Sequence, residues 1–383
     1  MKLSFYDVIV VGGGPSGVSA AKSSALNNSK VLLLEKCPTI MANKPCGEAS
    51  SQETLKTAGV KPTPQIVLRR AKALVFAPNM NSIEIDQIGY ALNKSMLIQA
   101  IAEQAAEAGA HIKVREEVKE VGKASDGHML VKTLHGEYKA KVVIGADGYN
   151  STVAKCLGIN EKSEPIPTVQ YVMANCDLEY PDYVRFYLGN EIAPGGYAWI
   201  FPKDDRIAEV GIGVRGGPAK FYLDKFVKLF EKELKKAQII DYRGAPVPIG
   251  GMIKQNVVDG AILVGDAAGT VIPLTGAGIH SSIAAGLIAG EVAAKASMEG
   301  NNSKHRLEEF NERYNEHWGE RIKKSLKAMR SIEKLSDDDL NTLQKILNAE
   351  DILDLSNGFD LKKVALKLLK HPILATKLAK ALL

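Results

Sequence analysis

The sequence predicts an α/β fold, α+β overall, in which a Rossmann-like nucleotide-binding domain is interleaved with an antiparallel-sheet domain and followed by a helical region. Three observations predict this fold. The apolar run at 6–11 leads through a glycine-rich turn into a helix-forming segment. Bulky residues alternate along 66–94 and 168–214, which is typical of antiparallel strands. Helical spacing dominates after a last apolar strand at 261–264.

The expected domain boundaries follow these changes of pattern. A βαβ unit opens the chain, and short alternating strands interrupt the nucleotide-binding domain twice before its last strand. The expected ranges are 1–65, 95–160 and 255–298 for the nucleotide-binding domain, 66–94 and 161–254 for the antiparallel β domain, and 299–383 for the C-terminal helical region.

Composition indicates an ordinary globular protein. Hydrophobic residues make up 45% and charged residues 24% of the 383 residues, and no apolar run reaches membrane-spanning length. The net charge of +5 is mild and is not concentrated in a basic block, so nucleic acid is not expected as a partner. The four cysteines show no CxxC spacing, which favours a reduced cytoplasmic location, and no metal site is predicted.

A glycine fingerprint follows the first strand. Gly12, Gly14 and Gly17 match the pattern GxGxxG between a strand and a helix, where the backbone can approach a pyrophosphate. Glu35 ends the second strand, where a carboxylate accepts hydrogen bonds from an adenosine ribose. The candidate binding residues of this region are Gly12, Gly14, Pro15, Ser16, Gly17, Glu35 and Lys36. The fingerprint alone is compatible with NAD or FAD.

A second glycine-rich region distinguishes between these cofactors. Asp266 follows the apolar strand that ends at Val264, and a turn with Gly276, Gly278 and Ile279 leads into an Ala-rich helix. An Asp at a strand end can bind a ribityl hydroxyl, and a helix N-terminus stabilises negative charge on a reduced flavin. We therefore expect FAD as the cofactor.

Five segments carry a resemblance to known flavoproteins. Residues 7–17, 145–151 and 265–266 are similar to the three signatures of FAD enzymes of the aromatic-hydroxylase type. The segment Lys44-Pro-Cys-Gly-Glu48 and the segment 194–202 resemble signatures of geranylgeranyl reductases. The resemblance implies an FAD-dependent reductase that saturates C=C bonds of geranylgeranyl chains, in archaeal membrane-lipid precursors such as digeranylgeranylglycerophospholipids.

The same resemblance implies further contacts to the cofactor. Asp147 and Gly148 are expected near the pyrophosphate, and Lys94 stands in place of an Arg that contacts the cofactor. The backbone of Val118 is expected near the adenine. Lys155 stands where hydroxylases carry an Arg, which puts pyridine-nucleotide binding in doubt. The electron donor therefore stays open among NAD(P)H, ferredoxin and other reductants.

Two segments are candidates for the substrate site. Tyr197, Trp199 and Phe201 alternate along one strand, so their rings share one face, which either lines a long apolar slot or packs into the core. The family resemblance favours the slot, which would hold the geranylgeranyl lipid. Cys46, beside Gly47, is expected at the flavin, where its thiol donates a proton, shapes the pocket or is inert packing.

The C-terminal tail leaves two interpretations open. From Lys362 it carries six lysines and no carboxylate, interleaved with leucines up to Leu382 and interrupted at Pro372. This pattern is typical of a surface that contacts anionic lipid, and equally of a helical cap with a solvated lysine face. The expected location is cytoplasmic, with peripheral contact to the inner face of the membrane as the open alternative.

Three other activities share parts of this pattern. A reductase of geranylgeranyl diphosphate or of chlorophyll precursors would use the same motifs. A flavin monooxygenase would hydroxylate an aromatic or isoprenoid substrate, although Lys155 and the aromatic strand argue against it. A non-catalytic flavin electron carrier would be reduced reversibly without turning over an alkene.

Overall fold

The computed structural model describes residues 4–41, 45–371 and 374–379. Lys44 of the reductase-like motif, and Pro372 and Leu382 of the tail, lie outside the described residues. Strands are arranged in two sheets. They are β1 (Ser4–Val11), β2 (Val31–Leu34), β3 (Ala49–Ser50), β4 (Val67–Phe76), β5 (Ser82–Leu92), β6 (His111–Lys113), β7 (Val118–Lys123), β8 (Met129–Thr133), β9 (Glu137–Gly145), β10 (Pro165–Ala174), β11 (Tyr183–Tyr187), β12 (Tyr197–Pro202), β13 (Ile207–Gly213), β14 (Gln238–Pro248), β15 (Val257–Val258) and β16 (Ala261–Leu263).

Helices cover the sheets and form the C-terminal region. They are α1 (Pro15–Leu26), α2 (Gln52–Ala58), α3 (Lys94–Glu107), α4 (Thr152–Cys156), α5 (Ala219–Leu229), α6 (Glu231–Leu234), α7 (Ile279–Glu299), α8 (Lys304–Leu307), α9 (Glu309–Tyr314), α10 (Glu320–Ile332), α11 (Asp337–Ile346), α12 (Ala349–Asn357) and α13 (Leu361–Leu368). None of the helices in the described ranges is long and apolar enough to cross a bilayer.

The first sheet has a parallel core in the order β16-β9-β1-β2-β6. All four residues of β2 and the last four of β1 are buried, as expected for parallel strands with both faces covered. The carboxyl ends of β1, β9 and β16 meet at one edge of this sheet. The loops that follow these strands are therefore brought together at the edge where open α/β sheets bind ligands.

The second sheet has the order β14-β10-β13-β12-β11-β4-β5-β3. The sequence predicts an antiparallel sheet, and the structure shows one exception: β11 pairs with β4 in parallel, with Tyr183 opposite Lys72. The exception arises because β4 and β11 are far apart in the chain and no hairpin turn dictates their direction. The second sheet is therefore mixed, and the aromatic strand β12 lies near its centre.

The C-terminal tail packs against the helical region. Leu361, Val364 and Leu368 of α13 are buried in one apolar cluster with residues of α11 and α12. Lys363 pairs with Glu350 at 2.7 Å, and Lys367 pairs with the fully buried Asp351 at 2.6 Å. These contacts favour the helical-cap interpretation for the inner face of α13.

Candidate active site

The glycine loop between β1 and α1 has the geometry that a dinucleotide requires. Gly12 has φ +104°, a conformation that side chains rarely adopt, and a Cβ on Gly17 would lie 1.8 Å from the carbonyl oxygen of Gly12. A Cβ on Gly14, in contrast, would meet nothing within 4 Å. Gly12 and Gly17 thus form the turn, whereas Gly14 leaves open space for a ligand at the start of α1.

Glu35 reaches back from the end of β2 to this loop. Its Oε2 accepts a hydrogen bond from the Gly13 N–H at 2.6 Å, and its Oε1 accepts one from the Cys37 N–H at 2.8 Å. Each carboxylate oxygen can accept a second hydrogen bond, such as one from a ribose hydroxyl. Lys36 is exposed at this corner, and Val118 begins β7, two residues after Glu116, whose N–H binds the Glu35 carbonyl.

The loop after β16 packs directly on the glycine loop. Gly265 has φ +66°, and a Cβ there would lie 2.4 Å from the Ser16 hydroxyl. Asp266 follows Gly265, and α7 begins at Ile279 with Gly278 as its N-cap and with no side chain capping it. The N–H groups of α7 and of α1, whose N-cap is Gly14, are therefore both left for a ligand.

A cleft brings most of the predicted cofactor residues together. Those that line it are Gly14, Pro15, Ser16, Cys46, Gly47, Lys94, Gly148, Asp266, Gly276, Gly278 and Ile279, together with Trp199 of the aromatic strand. Gly12, Gly17, Glu35, Lys36, Asp147 and Val118 are not among its lining residues.

Asp147 is engaged locally. Its Oδ1 accepts a hydrogen bond from the Ser151 hydroxyl at 2.6 Å, and its Oδ2 accepts from the N–H groups of Thr152 and Val153. Burial raises the pKa of this carboxyl, and these hydrogen bonds act in the opposite direction. Asp147 therefore shapes the turn before α4, while its neighbour Gly148 faces the cleft.

The Cys46 loop forms one wall of the cleft. Cys46 is half-buried, and its carbonyl oxygen accepts a hydrogen bond from Gln170 Nε2 at 3.3 Å. A Cβ on Gly47 would lie 2.6 Å from the Phe201 ring, so the loop rests directly on the aromatic strand. This close approach explains why glycine follows the cysteine.

The three predicted rings of β12 share one face, as the alternation indicates. The Tyr197 and Trp199 ring centroids are 5.9 Å apart, and those of Trp199 and Phe201 are 6.0 Å apart. Phe201 is buried against Phe186, whereas Trp199 lines the cleft and Tyr197 lines the space beyond it. The tyrosine hydroxyl donates a hydrogen bond to the Thr275 carbonyl, and desolvation raises its pKa.

An apolar slot continues from the cleft. The two spaces share Thr168, Trp199, Val247 and Gly276 as lining residues. The slot runs between the second sheet and the C-terminal region, where α10, α11 and the connection between them contribute Met329, Ile332, Leu335 and Leu340. A long chain held in this slot would therefore end beside the residues of the cleft.

Sequence reasoning missed several lining residues. Thr168 and Gln170 are polar residues on β10 and alternate with Val169 and Tyr171 along the strand. This alternation could have been used to predict that one face of β10 lines a site. Met329 and Ile332 follow a helical pattern, which does not distinguish a residue that lines a slot from one that packs in a core.

The residues of the cleft fit a flavin dinucleotide. The helices α1 and α7, which have no side-chain cap, both begin at this cleft. Their N-termini suit a pyrophosphate and a flavin that becomes negatively charged on reduction. Two buried polar atoms, Trp199 Nε1 and Gln170 Oε1, have no hydrogen-bond partner among the described residues, and both side chains line the cleft. Buried polar atoms are rarely left unpaired, so they indicate an occupant with polar groups.

Comparisons with known proteins agree with this geometry. Residues 7–155 match the family described as FAD dependent oxidoreductase, and residues 165–247 match the geranylgeranyl reductase catalytic domain. The digeranylgeranylglycerophospholipid reductase of Methanocaldococcus jannaschii is 37% identical over 96% of each chain. A second such reductase, from Methanopyrus kandleri, is 34% identical over 99% of each chain.

A crystal structure gives the same result for the fold. The geranylgeranyl bacteriochlorophyll reductase-like protein of Thermoplasma acidophilum is 30% identical and superimposes with a TM-score of 0.88, covering 99% of this chain and 100% of that one. These matches confirm the predicted fold class and the FAD cofactor. The chain therefore belongs to the geranylgeranyl reductase family of FAD-dependent oxidoreductases, together with the archaeal digeranylgeranylglycerophospholipid reductases.

Proposed function

We propose that this enzyme saturates the C=C bonds of the geranylgeranyl chains of digeranylgeranylglycerophospholipids. The observation that carries the proposal is the continuity between the cleft and the apolar slot, which share four lining residues. A geranylgeranyl chain is long and has no polar group along its length, and the slot provides an apolar wall on several sides. The full-length similarity to two archaeal reductases of this name supports the substrate class.

The cofactor residues divide into two groups. We propose that Gly14, Pro15 and Ser16 bind the pyrophosphate and that Glu35 binds the ribose, with Lys36 and Val118 beside the adenosine. We place Asp147 and Gly148 near the pyrophosphate too, with Gly12 and Gly17 forming the turn of the glycine loop. Around the rest of the cofactor we place Cys46, Gly47, Lys94, Asp266, Gly276, Gly278 and Ile279. When bound, FAD supplies the hydride for the reduction.

The chain's own groups must then provide a proton. The described residues that line the cleft and the slot include one thiol and one phenol, those of Cys46 and Tyr197. The tyrosine O–H is already donated to the Thr275 carbonyl, and its raised pKa makes it a weaker acid. We therefore propose Cys46 as the proton donor to the adjacent carbon, with Tyr197, Trp199 and Phe201 forming the substrate wall.

The test measures products of the purified enzyme reduced with dithionite. Digeranylgeranylglycerophospholipid is expected to gain hydrogens, which mass spectrometry counts, while geranylgeranyl diphosphate reacts poorly. A preference for the diphosphate would contradict the proposed substrate, and a hydroxylated product formed with oxygen and NADPH would indicate a monooxygenase. Comparing NAD(P)H with reduced ferredoxin as reductants of the bound flavin then identifies the electron donor.

The role of Cys46 is tested separately. We expect Cys46→Ala to bind FAD normally and to lose turnover by about 100-fold, because one general acid contributes about that factor. Cys156→Ala is the matched control, since Cys156 is exposed and lies outside the cleft. Wild-type turnover in Cys46→Ala would exclude the thiol as the proton donor.

We further propose that the enzyme meets its substrate at a membrane surface through the outer face of α13. Leu366 of α13 and Leu369, directly after this helix, are 60% and 49% exposed, beside the exposed Lys362 and Lys370. Apolar residues next to lysines favour binding to anionic lipid. Sedimentation with anionic vesicles tests this contact, and equal sedimentation of Leu366→Ser and wild-type protein would contradict it.

A further inference from the structure

A buried charge cluster lies behind the Cys46 loop, outside the lining of the cleft and the slot. It comprises Glu48, Lys203 and Glu209, and we call it the clasp. The Lys203 ammonium lies 2.6 Å from Glu48 Oε2 and 3.2 Å from Glu209 Oε1. Glu209 is 1% exposed, and its second carboxylate oxygen has no hydrogen-bond partner among the described residues. Burying such a cluster costs desolvation free energy, so its presence at this place requires an explanation.

The clasp lies on the same face of the second sheet as the active site. Glu209 of β13 is directly opposite Phe201 of β12, and directly opposite residues of antiparallel strands point to the same face. The Phe201 ring is the surface on which Gly47 rests. The clasp and the Cys46 loop therefore both lie next to the same residue, Phe201.

Glu48 connects the clasp to the thiol. Its φ of +56° lies in the left-handed region, which is strained for a non-glycine residue and must be compensated by its surroundings. Its carbonyl oxygen accepts a hydrogen bond from the Leu92 N–H at 2.9 Å, and its own N–H donates to Cys46 Sγ at 3.4 Å. The conformation of Glu48 therefore helps to fix the place of the sulfur.

We propose that Lys203 and Glu209 are positioning residues: Lys203 holds Glu48 in its left-handed conformation and so keeps the Cys46 thiol at the cleft wall, and Glu209 holds Lys203. This inference rests on the proposed place of Cys46 at the flavin. Besides Lys203 and Glu48, the charged group that acts on Glu209 is Lys94, at the start of α3. Burial raises the pKa of Glu209 to about 7. The electrostatic attraction between Glu209 and Lys203 is therefore expected to change near neutral pH, where Glu209 gains or loses its charge.

The experiment measures the alkylation rate of Cys46 in the FAD-bound enzyme without substrate, by mass spectrometry of its peptide. We expect Lys203→Met to raise this rate by about tenfold, because the loop opens more often once Glu48 is released. Lys203→Arg retains the charge and should restore most of the protection. Cys156, which is exposed and does not line the cleft, is the internal control and should react equally in all variants.

A second variant separates positioning from a general loss of structure. Glu209→Gln keeps the shape of the side chain and resembles the protonated carboxyl group. The alkylation rate of Cys46 in this variant should therefore equal that of wild type below pH 6 and differ from it above pH 8. Equal Cys46 rates in wild type, Lys203→Met and Glu209→Gln at every pH would overturn the proposal, whatever the enzyme's substrate proves to be.

Discussion

At the scale of single residues, the glycine loop uses each glycine for a different reason. Gly12 and Gly17 are required by a strained φ and by a close backbone contact, whereas Gly14 is next to open space. Only Gly14 is therefore free to change without disturbing the loop itself. The lack of a side chain on Gly14 leaves space for the pyrophosphate that we propose to bind there.

Gly14→Val is expected to leave the apoprotein folded and to weaken FAD binding by about 100-fold, because the added side chain occupies the space of the pyrophosphate. Titration of apoprotein with FAD, followed by fluorescence, measures the change. Gly122→Val on β7 is the matched control, since a Cβ there also meets nothing within 4 Å. Unchanged FAD affinity in Gly14→Val would place the pyrophosphate elsewhere.

Glu209 makes stability depend on pH. Its folded-state pKa of about 7 lies above the ordinary value of 4.5, so the folded protein holds a proton that the unfolded chain releases between these values. Its contribution is favourable below pH 4.5 and is lost as the pH rises through 7. Glu209→Gln should therefore gain up to about 3 kcal/mol over wild type at pH 8, and almost nothing at pH 4.5.

Urea denaturation of both proteins at the two pH values measures this difference. Glu164→Gln is a suitable control, because that carboxylate is half-exposed and its pKa is lowered by Arg330, so the variant should lose stability at pH 8. A wild-type protein that is more stable than Glu209→Gln at pH 8 would contradict the raised pKa.

At the scale of elements, the close packing of α1 on α7 positions both helix N-termini at the cleft. Ser23 and Ser24 of α1 donate hydrogen bonds to the carbonyl oxygens of Leu287 and Gly290 on α7. A Cβ on Gly286 would lie 2.1 Å from the Ser16 carbonyl oxygen. Small residues thus set the distance between the two helices.

Gly286→Ala is expected to destabilise the protein by about 2–3 kcal/mol, although alanine favours helices, because the contact to Ser16 forces the helices apart. FAD affinity should fall with it, since Ser16 lines the cleft. Met298→Ala, at an exposed site of the same helix, should change neither quantity. Chemical denaturation of the apoproteins provides the measurement.

The sequence predicted these elements to different degrees. The strands β1, β9 and β16, which lead into the three signature loops, each end in an apolar run, and the glycine spacing after β1 was sufficient to predict a dinucleotide loop. The parallel pairing of β4 with β11 joins segments that are far apart, and no local pattern encodes it. The clasp escaped prediction because the pairing of β12 with β13 brings Lys203 beside Glu209, and the packing of the Cys46 loop on Phe201 adds Glu48 from a distant part of the chain.

At the scale of the whole molecule, the C-terminal helices form one wall of the proposed substrate path. Met329 and Ile332 of α10 line the slot opposite the second sheet. The helical region is thus part of the proposed substrate site, although the two matching family models cover only residues 7–155 and 165–247. The domain boundaries proposed from sequence separate this region from a slot that it helps to form.

Ile332→Trp is expected to reduce turnover of the long-chain substrate by about tenfold or more, because the larger side chain fills the slot. The visible spectrum of the flavin and its reduction by dithionite should stay unchanged, since Ile332 does not line the cleft. Lys327→Trp, on the exposed side of the same helix, is the control. Full activity of Ile332→Trp would show that the chain takes another path.

The interleaving of the two sheets has a consequence for how a lipid enters. In the described strands the chain passes from one sheet to the other four times, after β2, β5, β9 and β14. Links at four places prevent the sheets from swinging apart on a single hinge, as two domains joined by one linker can. Entry of a lipid tail into the proposed slot, which lies between the second sheet and the C-terminal region, is therefore not expected to depend on a hinge motion between the two sheets.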